Sequence, residues 1–355
     1  MQLMNFATGS QLVGPPDHLV VASAAAEPVT FQEICRACPR IPPDEVRASL
    51  RLLLKRNIVW LAHRARPKAE LSMDALDAWN PEVGFFHGRT RHAAYGDPRI
   101  LEPEYQAKAA KTSMRPMLTT HPGRPKISLP KPDVSAEFPG VLLARRTHRR
   151  FGTGTISRQQ LGTLLGLTAG FHRFVETRPK GYAPLRTSPS GGARHPIDVY
   201  VVSLRTRGLK SGIYHYLPDR HELEHLKTAT PSIVDAFLPY QAWFRDAAVL
   251  MVLVAKFSRT MFRYPHSRAY RAVLLEAGHL CQTFCLTSTW MGLAPFSTIG
   301  MNDERVEKDL GVDGISEYPV YLAGAGLPLR KGYPSATPRG VPPVREWRNP
   351  VFGKD

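Results

Sequence analysis

The sequence predicts an α+β fold for its second half, and three features support that class. A β-branched apolar run at 247–255 is typical of a buried strand. The segment 269–290 is apolar around nearly its whole circumference, which predicts a long central helix. Ser157 and Gln160 have the spacing of a capping box and predict the start of another helix. Shorter strands are predicted at 198–204, 212–216 and 320–322.

Composition limits the class of protein. The 355 residues leave room for one large domain or two ordinary ones, and a hydrophobic content of 43% suits a globular core. Four cysteines are too few for a disulfide scaffold and favour a reducing compartment. Residues 1–14 show no secretory signal, and the longest apolar run is far shorter than the roughly 20 residues of a membrane span. We therefore expect a cytoplasmic protein without a membrane segment.

The formal net charge of +17 first suggests a nucleic-acid partner, because basic surfaces attract phosphate. However, the basic residues are spread along the chain and are not interleaved with aromatic residues in one patch. This distribution argues against nucleic acid. It favours an acidic peptide substrate, or a charge that serves solubility.

The N-terminal region predicts a winged-helix-like module at 27–65. Thr30 and Glu33 have capping-box spacing, Asp44 is the predicted cap of a second helix, and 57–61 is a predicted strand. The second helix carries a basic face, which is either a docking surface for an acidic peptide or nucleic acid, or an ordinary solvated face. That face consists of Arg47, Arg51, Lys55 and Arg56.

Proline spacing divides the chain. A polar stretch at 114–140 contains prolines at 116, 122, 125, 130, 132 and 139 and predicts a linker. The sequence therefore predicts an N-terminal region at 1–113, a main domain at 141–335 and a tail at 336–355.

Two segments of the main domain carry a chemical signal. Residues 145–151 place four arginines and a threonine before a phenylalanine, and arginine is well suited to bidentate contacts with phosphate. Residues 188–196 form a Pro-Ser-Gly-Gly loop whose glycines allow the backbone to approach a planar ligand. Each segment alone is common on protein surfaces. Together they predict a flavin mononucleotide (FMN) site, and hence a redox enzyme.

At this point a resemblance becomes specific. The pattern of residues 145–151 resembles the opening FMN-binding motif of the nitroreductase family, and 189–196 is similar to a loop that the partner subunit contributes in that family. Five further segments resemble the SagB-type branch in order and spacing, and that branch includes azoline dehydrogenases of ribosomally made peptides. They are 212–216, 276–279, 292–300, 310–314 and 317–321.

The resemblance covers about residues 141–330 and implies a fold and a site. The fold is a central, mostly antiparallel sheet flanked by helices in a domain-swapped homodimer, with FMN at the subunit interface. Three groups of residues are implied to contact FMN. They are Arg145, Arg146, Thr147 and Arg149 from one protomer; Pro189, Ser190 and Gly191 from the other; and Ser297, Ile299 and Gly300 near flavin N5, with Arg330 as a further phosphate contact.

The catalytic position departs from the family pattern. Azoline dehydrogenases have a Lys-Tyr pair shortly before the long helix, whereas this chain has Arg263-Tyr264. Arginine does not serve as a base, so Tyr264 is the predicted base, and the fixed charge of Arg263 favours its ionised form. Two alternatives stay open: the pair shapes a loop, or Lys256 supplies an amine at the end of a strand.

The cysteines predict no metal site. Cys35 and Cys38 form an isolated C-x-x-C in the N-terminal unit, and Cys281 and Cys285 lie one turn apart on the apolar helix, so buried thiols are expected. His279 on the same helix is expected in the core or at a dimer interface.

These observations lead to one functional hypothesis and two alternatives. The hypothesis is an FMN-dependent dehydrogenase or oxidase that converts azoline to azole rings in a ribosomally synthesised peptide, alone or in a complex with a cyclodehydratase. The first alternative is a flavoenzyme of the same fold with another small or peptide-derived substrate, which the missing lysine favours. The second is a non-enzymatic binding protein that uses the winged-helix-like module.

Overall fold

The computed structural model describes residues 2–5, 8, 10–65, 68–76, 78–91, 103–104, 106–107, 123, 126, 128–177 and 181–329. The described helices are α1 Asp17–Ala24, α2 Phe31–Ala37, α3 Pro43–Lys55, α4 Lys68–Met73, α5 Pro81–Thr90, α6 Glu137–Ala144, α7 Arg158–Ala169, α8 Ser232–Phe237, α9 Phe257–Met261, α10 Ala269–Trp290 and α11 Asp303–Leu310. The described strands are β1 Gln2–Met4, β2 Gln11–Val13, β3 Ile156–Ser157, β4 Arg173–Thr177, β5 Gly181–Leu185, β6 Ile197–Ser203, β7 Thr206–Arg207, β8 Gly212–Leu217, β9 Glu222–Thr228, β10 Val249–Lys256, β11 Ala294–Thr298 and β12 Glu317–Gly326. Single 3₁₀ turns lie at Asp74–Leu76, Gly191–Ala193 and Ala242–Phe244.

A six-stranded antiparallel sheet forms the centre of the main domain, in the order β11-β12-β10-β6-β8-β9. Strand β10 is buried at all but its last residue, because it lies between β6 and β12 and helices cover both faces. The sequence VLMVLVAK therefore reads as a continuous apolar run, as expected for a strand without a solvated face. The predicted strands at 198–204, 212–216, 247–255 and 320–322 are all present, with ends shifted by a few residues.

Each face of the sheet has its own apolar core. Met251 and Leu253 of β10 point to one face, where α7 and α10 cover the sheet, and Leu250 and Val252 point to the other, where α8 and α11 lie. The predicted helix α10 has the expected bounds, and its buried side includes Phe284. The prediction of burial all round is wrong for one side of the helix, since Leu275 is 64% exposed. His279 is also exposed, so it is not a core histidine in this chain.

Part of the predicted N-terminal region packs into the main domain. Trp79 makes edge contacts with Phe257 and Tyr270, at ring-centroid distances of 5.4 and 5.6 Å. On α5, His87 hydrogen-bonds to the Tyr270 hydroxyl at 3.1 Å, and burial lowers the pKa of its imidazole to about 4. Arg91 forms a buried ion pair with Glu307 at 3.1 Å. Residues 74–91 therefore complete the core of the second half of the chain.

The described residues among the first 65 form a small helical unit with a separate core. The capping box of Thr30 and Glu33 is present at the start of α2, as predicted. Two predictions for this unit are wrong. Asp44 does not cap α3, because Pro42 occupies the cap position and Asp44 lies in the first turn; and 57–61 forms turns instead of a strand. The described strands of the unit, β1 and β2, form a hairpin before the helices.

Helix α6 begins at Glu137, inside the predicted linker, and the indole of Trp290 donates to the Glu137 carboxylate at 3.0 Å. Most of the linker before residue 128, Arg330 and the predicted tail at 336–355 lie outside the described residues.

Candidate functional site

The arginine segment lies against one end of the central sheet. The backbone N–H of His148 donates to the carbonyl of Pro295 at 2.9 Å, and the N–H of Gly152 donates to that of Leu327 at 2.8 Å. Phe151 is buried and packs on Phe296 at a ring-centroid distance of 5.8 Å. Residues 145–152 are therefore held where β11 begins and β12 ends.

The charges of this segment suit a phosphate ligand. Within the described part of the chain, Arg145 and Arg149 have no ion-pair partner, so their guanidiniums are not neutralised by a neighbouring carboxylate. Burial, and then the charges of Arg145 and Arg146, lower the pKa of His148, which keeps its imidazole neutral. Several arginines of this one short segment could therefore donate hydrogen bonds to the same bound anion.

The Pro-Ser-Gly-Gly loop lies before strand β6 and has a strained backbone. Gly192, Ala193 and His195 have φ values of +61°, +51° and +44°, a region in which residues with a Cβ are uncommon. The hydroxyl of Ser190 accepts the backbone N–H of His195 at 2.9 Å and holds this conformation. Pro189 is exposed, as is the glycine pair, so the tip of the loop is open to a second molecule. Such strain is commonest at functional sites.

The predicted catalytic pair lies directly against this loop. The guanidinium Nε of Arg263 donates to the Tyr264 hydroxyl at 3.2 Å. A Cβ on Gly192 would approach both side chains to 2.7 Å, so a larger residue would displace the pair from its present position. The carbonyl of Tyr264 accepts from the Trp79 indole at 3.4 Å, which ties the pair to the core.

The arginine segment and the loop lie at opposite ends of the sheet. Val249 at the start of β10 pairs with Ala325, beside the arginine segment, whereas Ala255 near its end pairs with Ile197, beside the loop. Strand β10 has eight residues and spans about 23 Å at roughly 3.3 Å per residue. Within one chain, the backbone anchor points of the arginine segment and of the glycine loop are therefore separated by most of the length of β10.

The third predicted group, Ser297, Ile299 and Gly300, lies at and just after the end of β11. Ser297 contributes hydrogen bonds that influence both Cys281 and Cys285, and Arg145 acts electrostatically on Cys285, so these side chains share one neighbourhood. The hydrogen bond between the thiols raises the pKa of Cys281 and lowers that of Cys285. Ile299 is 60% exposed, and the carbonyl of Gly300 accepts from the side chain of Gln241.

A buried polar cluster beneath the loop was missed by sequence reasoning. Glu276 and His195 are each 4% exposed, with 3.8 Å between the Glu276 Oε1 and the His195 Nδ1. Burial raises the pKa of Glu276 to about 7 and lowers that of His195 to about 4. Arg186, buried nearby, completes the cluster. The one sequence signal for this cluster is Glu276, a carboxylate on the apolar helix α10, because charged side chains are rarely buried without a partner.

The remaining candidates have structural explanations. Lys256 pairs with Glu317 at 3.1 Å and lies 3.6 Å from Asp198, so its ammonium is engaged. All four cysteines are free thiols. Among the described residues, no group of His, Cys, Asp and Glu is arranged to hold a metal ion. The described helices include none with the length and apolarity needed to cross a bilayer.

Residues 142–327 match the model of the nitroreductase family, and the chain belongs to that family. The match covers the six-stranded sheet, the arginine segment, the glycine loop and the Arg263–Tyr264 pair. Family members are flavoproteins, and membership supports an oxidoreductase with this α+β fold.

Three relatives extend this result. A protein described as a nitroreductase from Methanocaldococcus jannaschii is 28% identical over 198 residues, which cover 55% of this chain and 93% of that protein. The trifolitoxin-processing protein TfxB of Rhizobium leguminosarum is 29% identical over 203 residues, 55% of this chain and 54% of that protein. The microcin B17-processing protein McbC of Escherichia coli is 31% identical over 143 residues, 39% of this chain and 52% of that protein. The chain thus spans about half the length of the two processing proteins.

Among solved structures, the E. coli microcin synthetase McbBCD complex with truncated pro-MccB17 bound contains a similar chain. The TM-score is 0.49 at 23% identity, and the similarity covers 71% of this chain and 96% of that chain.

Proposed function

We propose that this protein is an FMN-dependent dehydrogenase that oxidises thiazoline or oxazoline rings to thiazoles or oxazoles in a ribosomally synthesised peptide. The observation that carries the proposal is the contact of the Arg263–Tyr264 pair with the strained loop at Gly192, within a domain of the nitroreductase family. The similarity to trifolitoxin- and microcin B17-processing proteins supports a peptide substrate.

The residues present fit FMN. Arg145 and Arg149, which lack carboxylate partners in the described structure, would bind its phosphate together with Arg146 and Thr147, and Arg330 would add a further contact. Pro189, Ser190 and Gly191 would contact the ring system through nearly bare backbone. Ser297, Ile299 and Gly300 would line the side of the ring where hydride is exchanged. When bound, FMN supplies the two-electron chemistry, and dioxygen is the expected final acceptor.

Tyr264 is assigned the proton transfer. Its oxygen, as the phenolate, would take a proton from one ring carbon and become the hydroxyl, while the hydride on the adjacent carbon would go to the flavin. The ring becomes aromatic through the net loss of two hydrogens. The Arg263 Nε–H, 3.2 Å from that hydroxyl, would orient it toward the substrate. The tyrosine thus assumes the basic role for which arginine is unsuited.

The active site would be shared between two protomers. The loop and the Arg263–Tyr264 pair touch within one chain. One protomer would therefore contribute both of them to the FMN that is held by the arginines of its partner. The exposed apolar side of α10, including Leu275 and the neighbouring His279, is available for such a homodimer interface.

Further partners and location are part of the same proposal. The exposed basic face of α3 would dock an acidic leader peptide or a cyclodehydratase, with no role for nucleic acid or membrane, and the enzyme would work in the cytoplasm. That face comprises Arg47, Arg51, Lys55 and Arg56.

Two measurements test the proposal. The purified protein should be yellow, with a flavin absorbance spectrum, and should convert a thiazoline-containing peptide to a product lighter by two hydrogens in mass spectrometry. A colourless protein that FMN does not stabilise would refute the cofactor and leave a binding protein as the alternative. Flavin binding without azoline oxidation would favour a flavoenzyme with another substrate, an alternative that Arg263 in place of lysine supports.

A further inference from the structure

A cavity of about 510 Å³ opens beside the glycine loop. Its walls come from the β4–β5 hairpin, the start of β6, the end of β8 and helix α9, and they include Ala193 of the loop itself. A volume of this order suits a side chain or a small ligand. It lies outside the residues assigned above to FMN or to proton transfer.

The cavity has an excess of positive charge. Among its lining residues are Arg186, Arg194 and Arg259, but only one carboxylate, Asp198. Arg259 engages both oxygens of that carboxylate, at 2.6 and 3.0 Å, so this pair is neutral. His195 stays neutral because burial lowers the pKa of its imidazole. Two arginine charges are left without a carboxylate in the cavity wall.

Arg186 is the unusual member of this set. It is only 8% exposed, and no carboxylate of the described residues lies within ion-pairing distance of its guanidinium. One terminal nitrogen donates to the carbonyl of Ile197 at 3.2 Å, and the ring of Phe171 lies 5.0 Å away, but the buried Nε has no partner. A buried cation in this state is costly unless an anion joins it. Glu276 attracts this guanidinium without an ion-pair contact, and burial raises the pKa of that carboxyl to about 7.

The entrance of the cavity suits a peptide. Tyr182 and Phe262 line it and are 76% and 86% exposed, which offers apolar contacts around a charged interior. Phe262 precedes Arg263 directly in the chain, and Arg194 donates to the carbonyl of Gly192 at 2.9 Å. A peptide that occupies the cavity therefore passes close to the Arg263–Tyr264 pair.

We propose that this cavity is a carboxylate-binding subsite, in which Arg186 pairs with a carboxylate of the peptide substrate and Arg194 assists from the neighbouring wall. The carboxylate belongs to an acidic side chain or to the peptide C-terminus. The inference rests on the proposed function for the identity of the peptide. The anion site itself rests on the charges of the cavity.

Binding of small probes to the full-length protein tests this inference without turnover. Saturation-transfer NMR would be recorded with N-acetylglutamate α-amide, N-acetylglycine and the neutral N-acetylglutamine amide. The two carboxylates should bind at least about tenfold more tightly than the neutral amide. The stronger of the two identifies the source, a side chain or a chain terminus. Equal binding of the neutral amide, or no saturable binding of either carboxylate, would overturn the proposal.

Variants locate the site. Arg186→Gln should weaken carboxylate binding about tenfold or more, Arg186→Lys should retain part of it, and Arg194→Gln should have a smaller effect. Arg207→Gln removes the same charge from strand β7, away from the cavity, and should change nothing. If Arg186→Gln does not fold, the Lys and Arg194 variants decide; wild-type affinity in both would refute the site. Since no flavin or turnover is involved, this result is independent of whether azolines are oxidised.

Discussion

The two ends of strand β10 offer a ligand different chemistry. At the end beside Pro295 and Leu327, regular backbone hydrogen bonds hold a row of arginines, of which Arg145 and Arg149 have no carboxylate partner among the described residues. At the other end, beside Ile197, the backbone is strained and a tyrosine hydroxyl meets a guanidinium over a glycine. In the proposed function, the first end anchors the phosphate of FMN and the second positions the reacting group. The proposed active site therefore combines the two ends from different chains.

The largest effect is expected at the anchoring end. Arg149→Ala should abolish retention of FMN, because it removes from the proposed phosphate site a guanidinium that no carboxylate of the described residues neutralises. The ratio of flavin to protein absorbance after desalting measures this. Arg207→Ala, which removes an exposed arginine elsewhere, should retain normal occupancy. Full occupancy in Arg149→Ala would show that the arginine segment does not hold the cofactor.

At the reacting end, Tyr264→Phe should separate chemistry from binding. Loss of a proton-transferring group costs roughly 10²- to 10⁴-fold in rate, so kcat for azoline oxidation should fall by that order while bound flavin is unchanged. Steady-state oxidation of a thiazoline peptide, together with the flavin spectrum, gives both numbers. Unaltered kcat would remove Tyr264 from the mechanism and leave the pair as a loop element.

Gly192→Ala tests whether the loop positions the pair. The new Cβ would lie 2.7 Å from Arg263 and from the Tyr264 hydroxyl, so kcat should fall about tenfold or more without loss of flavin. The backbone φ of +61° also adds a stability cost of about 1 kcal/mol. Gly208→Ala is the matched control, since its φ is +78° but no atom lies within 4 Å of the new Cβ. The control should lose similar stability and no activity; equal activity in the two variants would contradict the positioning role.

The last prediction concerns stability, not turnover, and it involves the buried Glu276. Its pKa is raised from 4.5 to about 7 in the folded chain by burial, against the opposing influence of Ser190, Arg186 and Arg259. The folded state therefore favours the protonated form, and wild-type stability should fall relative to Glu276→Gln as pH rises from about 4.5 to about 7, then level off. The difference should approach the order of 3 kcal/mol. Urea unfolding of both proteins across this range measures it, and a difference independent of pH would contradict the assignment.

Sequence reasoning succeeded where local rules act. The capping boxes at Thr30 and Ser157 and the helix over 269–290 depend on neighbours within a few residues, and the structure confirms them. It failed where the local pattern fits more than one outcome. Pro42, two residues before Asp44, takes the cap position, and no strand forms at 57–61 although Ile58 and Val59 are β-branched and apolar.

The candidate site shows the same division. The arginine and glycine segments stand out in the sequence because their composition is unusual. The contact of Gly192 with Tyr264 joins residues more than 70 positions apart, and the cluster of Arg186, His195 and Glu276 forms only through burial, so periodicity and spacing contain no signal for either.

The shared site is tested most directly by mixing two inactive variants. Suppose that each site takes its arginines from one protomer and its tyrosine from the other. A hybrid dimer of an Arg149→Ala chain with a Tyr264→Phe chain then has one site with both substitutions and one site with neither. Random reassociation of equal amounts should then restore azoline oxidation to about a quarter of the wild-type rate, since half of the dimers are hybrids with one intact site. If both residues serve the same protomer's site, every site retains a defect, and the mixture would be as inactive as its components.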